Sequence, residues 1–340
     1  MTFKLNKLAA VVGVALGVLA APSAFAAAEG MAQAVRQLSN FGLYNYNGGG
    51  VATILNAQTD FSSFFATDDA SVSATLNSVN QQRSVLSAPP SPPTNLQKVC
   101  VGTCGFVEDD FSKHAIPTTA TFARADHQLT GVLVAGIQKL PSGTEPTPST
   151  SSLLAEVQIQ GSGSGTSNTT SGTGGSVKFT AANNNLQVLI DFNAYNYLYA
   201  YVNPAVGGRA SSSLSFKLYD STDNVDVFAW APDGLAGGIS GVGAFAELAD
   251  PCNLNTGLNA NPLSQGPNFL ECGVQSVGGF GGLNFKAVTG ALTAGHTYDL
   301  TFSETTTANM TVIPEPGSLL LVGAALVGLG FVRRRTASAV

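Results

Sequence analysis

Four tyrosines at alternate positions are the residues of this chain best suited to bind a ligand. They are Tyr195, Tyr197, Tyr199 and Tyr201. Side chains alternate along an extended strand, so all four share one face. An aromatic face of this kind can stack on sugar rings, which predicts a carbohydrate platform. Tyrosine is also favoured in strands for cross-strand packing, so a packed sheet face is the alternative interpretation.

An acidic loop between two strand-like segments is a candidate calcium site. Asp220, Asp223 and Asp226 supply the carboxylates, and carboxylate oxygens are the ligands that Ca²⁺ prefers. The spacing differs from that of an EF-hand loop. The alternative is a set of tight turns in which Asp and Asn side chains bond to their own backbone.

A second acidic segment runs from Glu108 to Asp110, with His114 shortly after it and Asp126-His127 further along the chain. Carboxylates and imidazoles together could bind Ca²⁺ or a transition metal. Three adjacent carboxylates cannot all face one ion in an extended segment, because side chains alternate. A solvated acidic loop is the alternative interpretation.

Catalytic motifs are missing from the sequence. His114, His127 and His296 are the three histidines, and none lies in a G-x-S-x-G, H-E-x-x-H or Cys-His context. The sequence therefore predicts a protein that is not an enzyme and that uses no cofactor, calcium excepted. A secreted hydrolase built from carboxylates distant in the sequence is a third interpretation.

Four cysteines predict two disulfides. An even number in an exported chain favours bridges, and the simplest pairing is local: Cys100 with Cys104, and Cys252 with Cys272. A zinc site is disfavoured, since CxxxC is not the usual knuckle spacing and no histidine lies near the second pair.

The elements that must position these residues are short strands. Alternating patterns predict strands at 153–160, 176–180, 186–192, 195–202, 213–219, 225–230, 283–288, 297–302 and 309–313. Turns rich in Gly, Asn and Asp separate them, and the glycine-rich residues 161–175 are predicted to form a long hairpin loop. This pattern is typical of an antiparallel β-sandwich or jelly roll.

The predicted β-sandwich domain spans 96–312. Residues 27–95 form an N-terminal segment whose structure the pattern leaves open. Within it, apolar residues of 70–87 recur near a 3.6-residue period, which predicts a helix. The proline-rich residues 88–93 then interrupt regular structure.

Two apolar segments frame the chain. Residues 1–26 have the pattern of a signal peptide: Lys4 and Lys7, an apolar run, and Ala24-Phe25-Ala26 as the cleavage site. This predicts export by the Sec machinery and cleavage by signal peptidase. At the other end, residues 319–332 are uncharged and are followed by Arg333, Arg334 and Arg335, which predicts a transmembrane helix whose end stays on the cytoplasmic side.

The tail, residues 313–340, resembles the PEP-CTERM sorting signal of Gram-negative bacteria. The resemblance is carried by Pro314, Glu315 and Pro316, the apolar stretch and the arginine cluster. It implies that an exosortase, an integral-membrane protease, removes the tail and that the protein passes to the cell surface or extracellular matrix. It covers only the tail and implies nothing about the fold of the exported domain.

Net charge argues against nucleic acid as a partner. The two terminal segments carry five basic residues and one acidic residue, so the remaining chain holds 10 basic and 20 acidic residues. Binding to phosphates needs a basic face. The sequence as a whole predicts a structural or adhesive protein of the exopolysaccharide or biofilm, with a carbohydrate-binding module as the alternative.

Overall fold

A computed structural model describes most of the chain between the two terminal segments. The residues described are 28–46, 52–56, 59–87, 96, 98–105, 107–113, 120–130, 150–161, 166–203, 206–235, 246–260, 266–276 and 279–312. The predicted signal peptide, 1–26, lies outside them, and so does the predicted sorting signal, 313–340. In the described ranges there is no helix with the length and apolar character that a bilayer crossing needs.

The described residues form strands and no helix, which confirms the prediction of an all-β fold. The strands are β1 (Ala28–Tyr46), β2 (Ala52–Ile54), β3 (Phe61–Leu76), β4 (Val79–Ser87), β5 (Val99–Gly102), β6 (Phe122–Thr130), β7 (Thr150–Gly161), β8 (Thr166–Ala181), β9 (Val188–Val202), β10 (Val206–Asp220), β11 (Val225–Trp230), β12 (Ala246–Ala249), β13 (Thr256–Ala260), β14 (Gly266–Cys272), β15 (Val274–Ser276), β16 (Gly279–Gly281), β17 (Leu283–Val288) and β18 (Thr297–Val312).

Two antiparallel sheets pack face to face. In the described part of the chain, the nine-stranded sheet has the order β12-β17-β9-β1-β7-β6-β5, with β14 paired to β9 and β2 paired to β1. The seven-stranded sheet has the order β11-β10-β18-β8-β3-β4, with β13 paired to β10. Strand β1 packs on β10 and β18, and β7 packs on β8 and β18, which makes the arrangement a sandwich.

Burial along the strands shows how each sheet is covered. In β18 buried and more exposed residues alternate, with Leu300 and Phe302 inside and Thr301 and Ser303 outside. That alternation is expected for a sheet with one face in the core. Strands β7 and β9 are instead buried on both faces. The outer face of the nine-stranded sheet is therefore covered by other parts of the chain at β7 and β9.

Residues 27–95, left open by the sequence pattern, contribute strands to both sheets. β1 lies between β9 and β7, at the centre of the nine-stranded sheet. β3 and β4 lie at one side of the seven-stranded sheet. This segment is therefore part of the sandwich and not an appendage to it.

The helix predicted for residues 70–87 is wrong. These residues form the end of β3 and all of β4, which pair as a hairpin. Asn77 and Ser78 at its turn have φ of 50° and 69°, and positive φ at both central residues suits the right-handed twist of a hairpin. Val72 and Leu76 are buried at even spacing from each other, as a strand also requires.

The loop predicted for residues 161–175 is also wrong over residues 166–175. β8 begins at Thr166, and its glycine-rich portion pairs with β3 and β18. A Cβ at Gly174 would lie 2.7 Å from Oδ1 of Asp69 on β3. Glycine therefore makes room in the sheet for the neighbouring carboxylate, and the composition that suggested flexibility serves strand packing.

Candidate functional site

The four tyrosines lie on the outer face of the nine-stranded sheet. Leu198 and the other alternate residues of β9 face the core between the sheets. The rings of Tyr197 and Tyr199 stack, with centroids 6.3 Å apart. The side chains of Tyr195, Tyr197 and Tyr199 are only 1%, 5% and 3% exposed. The tyrosine face is therefore packed under other residues.

Residues 107–113, here named the covering segment, lie over this face. Phe111 is buried against the tyrosine cluster. The Lys113 ammonium group bonds to the carboxylate of Glu271 on β14. It also lies 5.0 Å from the ring centroid of Tyr197, within cation–π distance. These contacts hold one end of the covering segment on the tyrosine face.

A buried ion pair lies under the same segment. Arg124 Nη2 is 3.1 Å from Oε2 of Glu156, and both side chains are 0% exposed. Arg124 also donates to the backbone oxygen of Asp110 at 2.9 Å. Buried charges are tolerated only when they are paired and hydrogen-bonded. The covering segment supplies one of these hydrogen bonds.

Burial also determines the protonation state of the tyrosines. It raises the pKa of Tyr197 to about 12, with further contributions from Tyr199 and Glu271. Burial raises the pKa of Tyr195 as well, and its hydroxyl donates to Glu271 at 3.2 Å. Both phenols therefore stay neutral at physiological pH. Sugar stacking on this face requires displacement of the covering segment, and it stays a prediction.

The predicted calcium loop is divided between two sets of contacts. Asp220 Oδ1 accepts the backbone N–H of Asp223 at 3.1 Å, the turn geometry of the alternative interpretation. Asp226 is paired with Lys217 at 2.9 Å. The side chains that converge are those of Asp220, Asp223 and His296, with His296 Nδ1 2.8 Å from Asp220 Oδ2. Calcium binding at this loop stays a prediction.

The second acidic segment brings Glu108 and Asp109 close to Asp126. Asp126 is buried and accepts the N–H of Asp109 at 3.1 Å. Burial, with the nearby Glu108 carboxylate as the next contribution, raises the pKa of Asp126 to about 6. Asp110 instead accepts from the backbone N–H of Ser112, and His114 lies outside the described residues. Metal binding here also stays a prediction.

A belt of buried polar side chains crosses the core, and the sequence analysis missed it. It comprises Arg36, His127, Ser151 and Asn196 from the nine-stranded sheet, with Asp68, Thr173, Ser212, Glu304 and Thr306 from the seven-stranded sheet. It lies between a cluster rich in Phe and Leu and a cluster rich in Ala and Val. The position of Glu304 could have revealed this belt from the sequence. Glu304 comes two residues after the inward-facing Phe302, so its side chain lies on the same, inward face of the strand.

Arg36 and Glu304 face each other within this belt. Both side chains are 0% exposed, and Nε of Arg36 is 4.0 Å from Oε1 of Glu304. The other carboxylate oxygen accepts from the hydroxyl of Ser151 at 3.2 Å, and Arg36 donates to the backbone oxygen of Leu254. Burial raises the pKa of Glu304 to about 7 and lowers that of Arg36 to about 10. The pair joins β1 to β18 across the sandwich.

The contribution of Glu304 to the free energy of unfolding is expected to fall as pH rises from about 4.5 to about 7. The pKa of Glu304 is about 7 in the folded chain against an ordinary value of 4.5 for a glutamate side chain. The folded state therefore binds more protons in this interval, and linkage makes stability decrease with pH. The stability that Glu304 contributes is fully present below pH 4.5 and is lost as the pH rises through about 7.

Denaturant unfolding across that interval measures this slope in the wild type and in Glu304→Gln. The variant should show a flatter profile. Asp126 has the same sign of pKa shift, so the difference between the two proteins, and not the wild-type slope alone, isolates Glu304. Parallel profiles would contradict the prediction.

Both cysteine pairs lie at disulfide distance in the local pairing predicted from the sequence. The Cα atoms are 6.4 Å apart in Cys100–Cys104 and 6.2 Å apart in Cys252–Cys272, within the usual range. Cys272 ends β14 of the nine-stranded sheet, whereas Cys252 lies in the connection between β12 of the same sheet and β13 of the seven-stranded sheet. The second bridge therefore ties this connection to the end of β14.

Removal of the second bridge should lower the free energy of unfolding. For Cys252→Ala with Cys272→Ala, the chain-entropy treatment gives about 3 kcal/mol. The bridge between Cys100 and Cys104 closes a shorter loop. The matched variant, Cys100→Ala with Cys104→Ala, should therefore lower the free energy of unfolding by about 2 kcal/mol. Denaturant midpoints measure both, and a midpoint unchanged from wild type in the first variant would rule that bridge out as a stabiliser.

Comparisons with known proteins find one family, at the tail. Residues 312–335 match the family described as the PEP-CTERM protein-sorting motif. None of the curated proteins compared with this chain matches it.

Two solved structures show only weak similarity. One is of infectious bursal virus derived T=1 particles, at 10% identity over 85% of this chain and 79% of the other, with a TM-score of 0.11. The other is of the infectious bursal disease virus Gx strain, at 12% identity over 86% and 82%, with a TM-score of 0.10. Scores this low carry no argument about fold. The assignment that stands is that the chain carries at its C-terminal tail a PEP-CTERM sorting motif, which indicates an exported protein sorted by an exosortase at the membrane of Gram-negative bacteria.

Proposed function

We propose that this protein is released from its tail by an exosortase-type protease and stays at the cell surface or in the extracellular matrix, with a structural or adhesive role. The observation that carries the proposal is the position of the sorting motif. The motif begins at residue 312, where β18 ends. Cleavage just beyond β18 removes none of the strands that the structure describes, so the described part of both sheets is kept after processing.

The exported part of the chain has properties that suit this role. Its disulfides belong to an oxidising compartment. Charged residues make up only 11% of the chain, and the surface strands of the seven-stranded sheet carry many Ser and Thr hydroxyls. Such a surface can form hydrogen bonds to the hydroxyl groups of a polysaccharide.

Intact mass spectrometry of cell-surface and culture-supernatant fractions tests the proposal. We expect a chain that begins near Ala27 and ends near Pro314, recovered together with matrix polysaccharide. Peptide mapping of both ends identifies the processing sites. A chain that keeps Arg333 to Arg335 and remains in the inner membrane would show that the tail is an ordinary anchor, and the proposal would be wrong.

Carbohydrate binding by the tyrosine face is the second candidate function. Phe269 on β14 lies opposite Tyr199 and is 62% exposed, so an accessible aromatic ring extends the buried tyrosine face. Tyrosine fluorescence during titration with polysaccharide tests it. A binding module should lose the response in Tyr197→Ala with Tyr199→Ala, whereas a structural protein should show no response in either form.

A further inference from the structure

A polar groove of about 270 Å³ lies on the outer face of the seven-stranded sheet, the sheet opposite to the tyrosine face. It is formed where β13 pairs with the first half of β10, which in turn pairs with β18. Its lining is made of polar residues and one glycine, with the hydroxyls of Ser211, Ser213, Thr305 and Thr307 among them. A volume just under the roughly 300–1,000 Å³ of drug-sized pockets suits a ligand of one or two sugar rings.

Arg209 gives the groove a positive charge. Its side chain is exposed. In the described part of the chain, Lys98, Lys113, Lys217 and Lys286 each lie within 4.0 Å of a carboxylate. Among the described residues, no carboxylate lies within that distance of the Arg209 guanidinium group. Its planar guanidinium group therefore has donors available, in the fork geometry that matches a carboxylate.

Gly257 leaves room for this guanidinium group beside β13. A Cβ at residue 257 would lie 3.2 Å from Nη2 of Arg209 and 3.4 Å from its Nε. Glycine therefore lets the side chain of Arg209 lie flat against β13, beside Ser211. The planar guanidinium fork is also preorganised, so less rotamer entropy is lost for each hydrogen bond that it forms.

The hydroxyls beside Arg209 can recognise a sugar ring. Ser211 Oγ and Thr307 Oγ1 are 2.5 Å apart, and a hydroxyl has one donor and two acceptor sites, so each keeps capacity for a ligand. Thr305 and Thr307 are about 7 Å apart along the strand, and neighbouring strands are about 5 Å apart. The resulting patch of donors and acceptors is comparable in size to one pyranose ring.

We propose that this groove binds a hexuronate residue of an acidic polysaccharide. Arg209 takes the sugar carboxylate, and the serine and threonine hydroxyls bond to the ring hydroxyls. The inference rests on the proposed function, which brings the chain into contact with extracellular polysaccharide. It places the contact on the sheet opposite to the tyrosines and adds a requirement for a negatively charged sugar.

Calorimetric titration of the full chain, purified in detergent, with a short linear oligouronate tests the proposal. The same oligomer with its carboxyl groups reduced to alcohols is the neutral probe, and sodium sulfate is the simple anion. We expect binding of the oligouronate that weakens about tenfold to hundredfold in Arg209→Ala, the effect of one charge-assisted hydrogen-bonding group. The reduced oligomer should show a similar loss with the wild type, and sulfate should not displace the oligouronate.

Lys178→Ala is the matched control. Lys178 is an exposed cation on the same outer face, opposite Asp299 of β18, whereas Arg209 is opposite Asn309. Ten residues along β18 put the two sites about 34 Å apart. This variant should bind like the wild type, and Arg209→Lys, which keeps the charge but lacks the fork, should bind with intermediate affinity.

Three results would overturn the proposal. They are equal affinity for the charged and reduced oligomers, wild-type affinity in Arg209→Ala, and full displacement by sulfate, which would mean a simple anion site. The titration does not depend on processing of the tail. If the chain is sorted to the surface but binds no oligouronate, the proposed uronate site is wrong and the proposed function stands. If the chain is not processed, only the proposed function is wrong.

Discussion

Replacement of Arg36 by alanine is expected to lower the free energy of unfolding by about 3–5 kcal/mol, the usual cost of removing one partner of a buried ion pair. The side chains of Arg36 and Glu304 are both 0% exposed. The substitution leaves the Glu304 carboxylate in the core without its cation. Denaturant unfolding above pH 7 measures the effect, since the carboxylate then has to be buried charged or take up a proton.

The double variant Arg36→Met with Glu304→Leu is the control. It removes both charges and fills the space with apolar atoms, so it should recover most of the stability lost in the single variant. Arg36→Ala should also be less harmful near pH 5, because Glu304 is then protonated. A single variant within about 1 kcal/mol of wild type would show that the pair does not constrain the core.

Replacement of Pro314, Glu315 and Pro316 by alanines is expected to abolish processing of the tail. These residues lie within the matched sorting motif. Proline fixes its own φ and disfavours the helical region for the residue before it, a restriction that three alanines do not impose. Pulse-labelling followed by intact mass measurement should show an uncut chain in the membrane fraction in place of the shortened form.

Ser338→Ala is the control for this variant, because residue 338 lies in the tail beyond the matched range. It should be processed like the wild type. The sandwich should fold normally in the uncut chain, since β18 ends at Val312, and this separates a sorting defect from a folding defect. Normal shortening of the alanine variant would contradict the prediction.

The two strand segments 225–230 and 283–288 were predicted with the bounds that the structure shows. Both are bounded by turn residues, so local pattern was sufficient. Segments 186–192 and 195–202, predicted as separate strands, are joined in β9. Asn193, between the two segments, favours a turn, yet it pairs with Asn284 of β17. Pairing with a distant strand compensates for a residue that favours turns.

The hairpin of β3 and β4 shows why the prediction of a helix at residues 70–87 was wrong. Val72, Leu76 and Val79 have a spacing that also fits a helix. The choice between the two depends on whether a partner strand is present, and β8 supplies one along the whole of β3. Sequence separation hides that partner, because β8 lies about a hundred residues further along the chain.

The sequence by itself determined the sorting motif at the tail and the common face of the four tyrosines, and it favoured the local pairing of the cysteines without excluding the other two pairings. These depend on short motifs and on the two-residue period of a strand, both of which are local. Only the tertiary structure decided that the tyrosine face is covered by residues 107–113, that Arg36 meets Glu304 in the core, and that Arg209 lies among hydroxyls of β10 and β18. Alternation says which residues share a face, but which face is buried depends on the free energy of packing against segments far away in the chain.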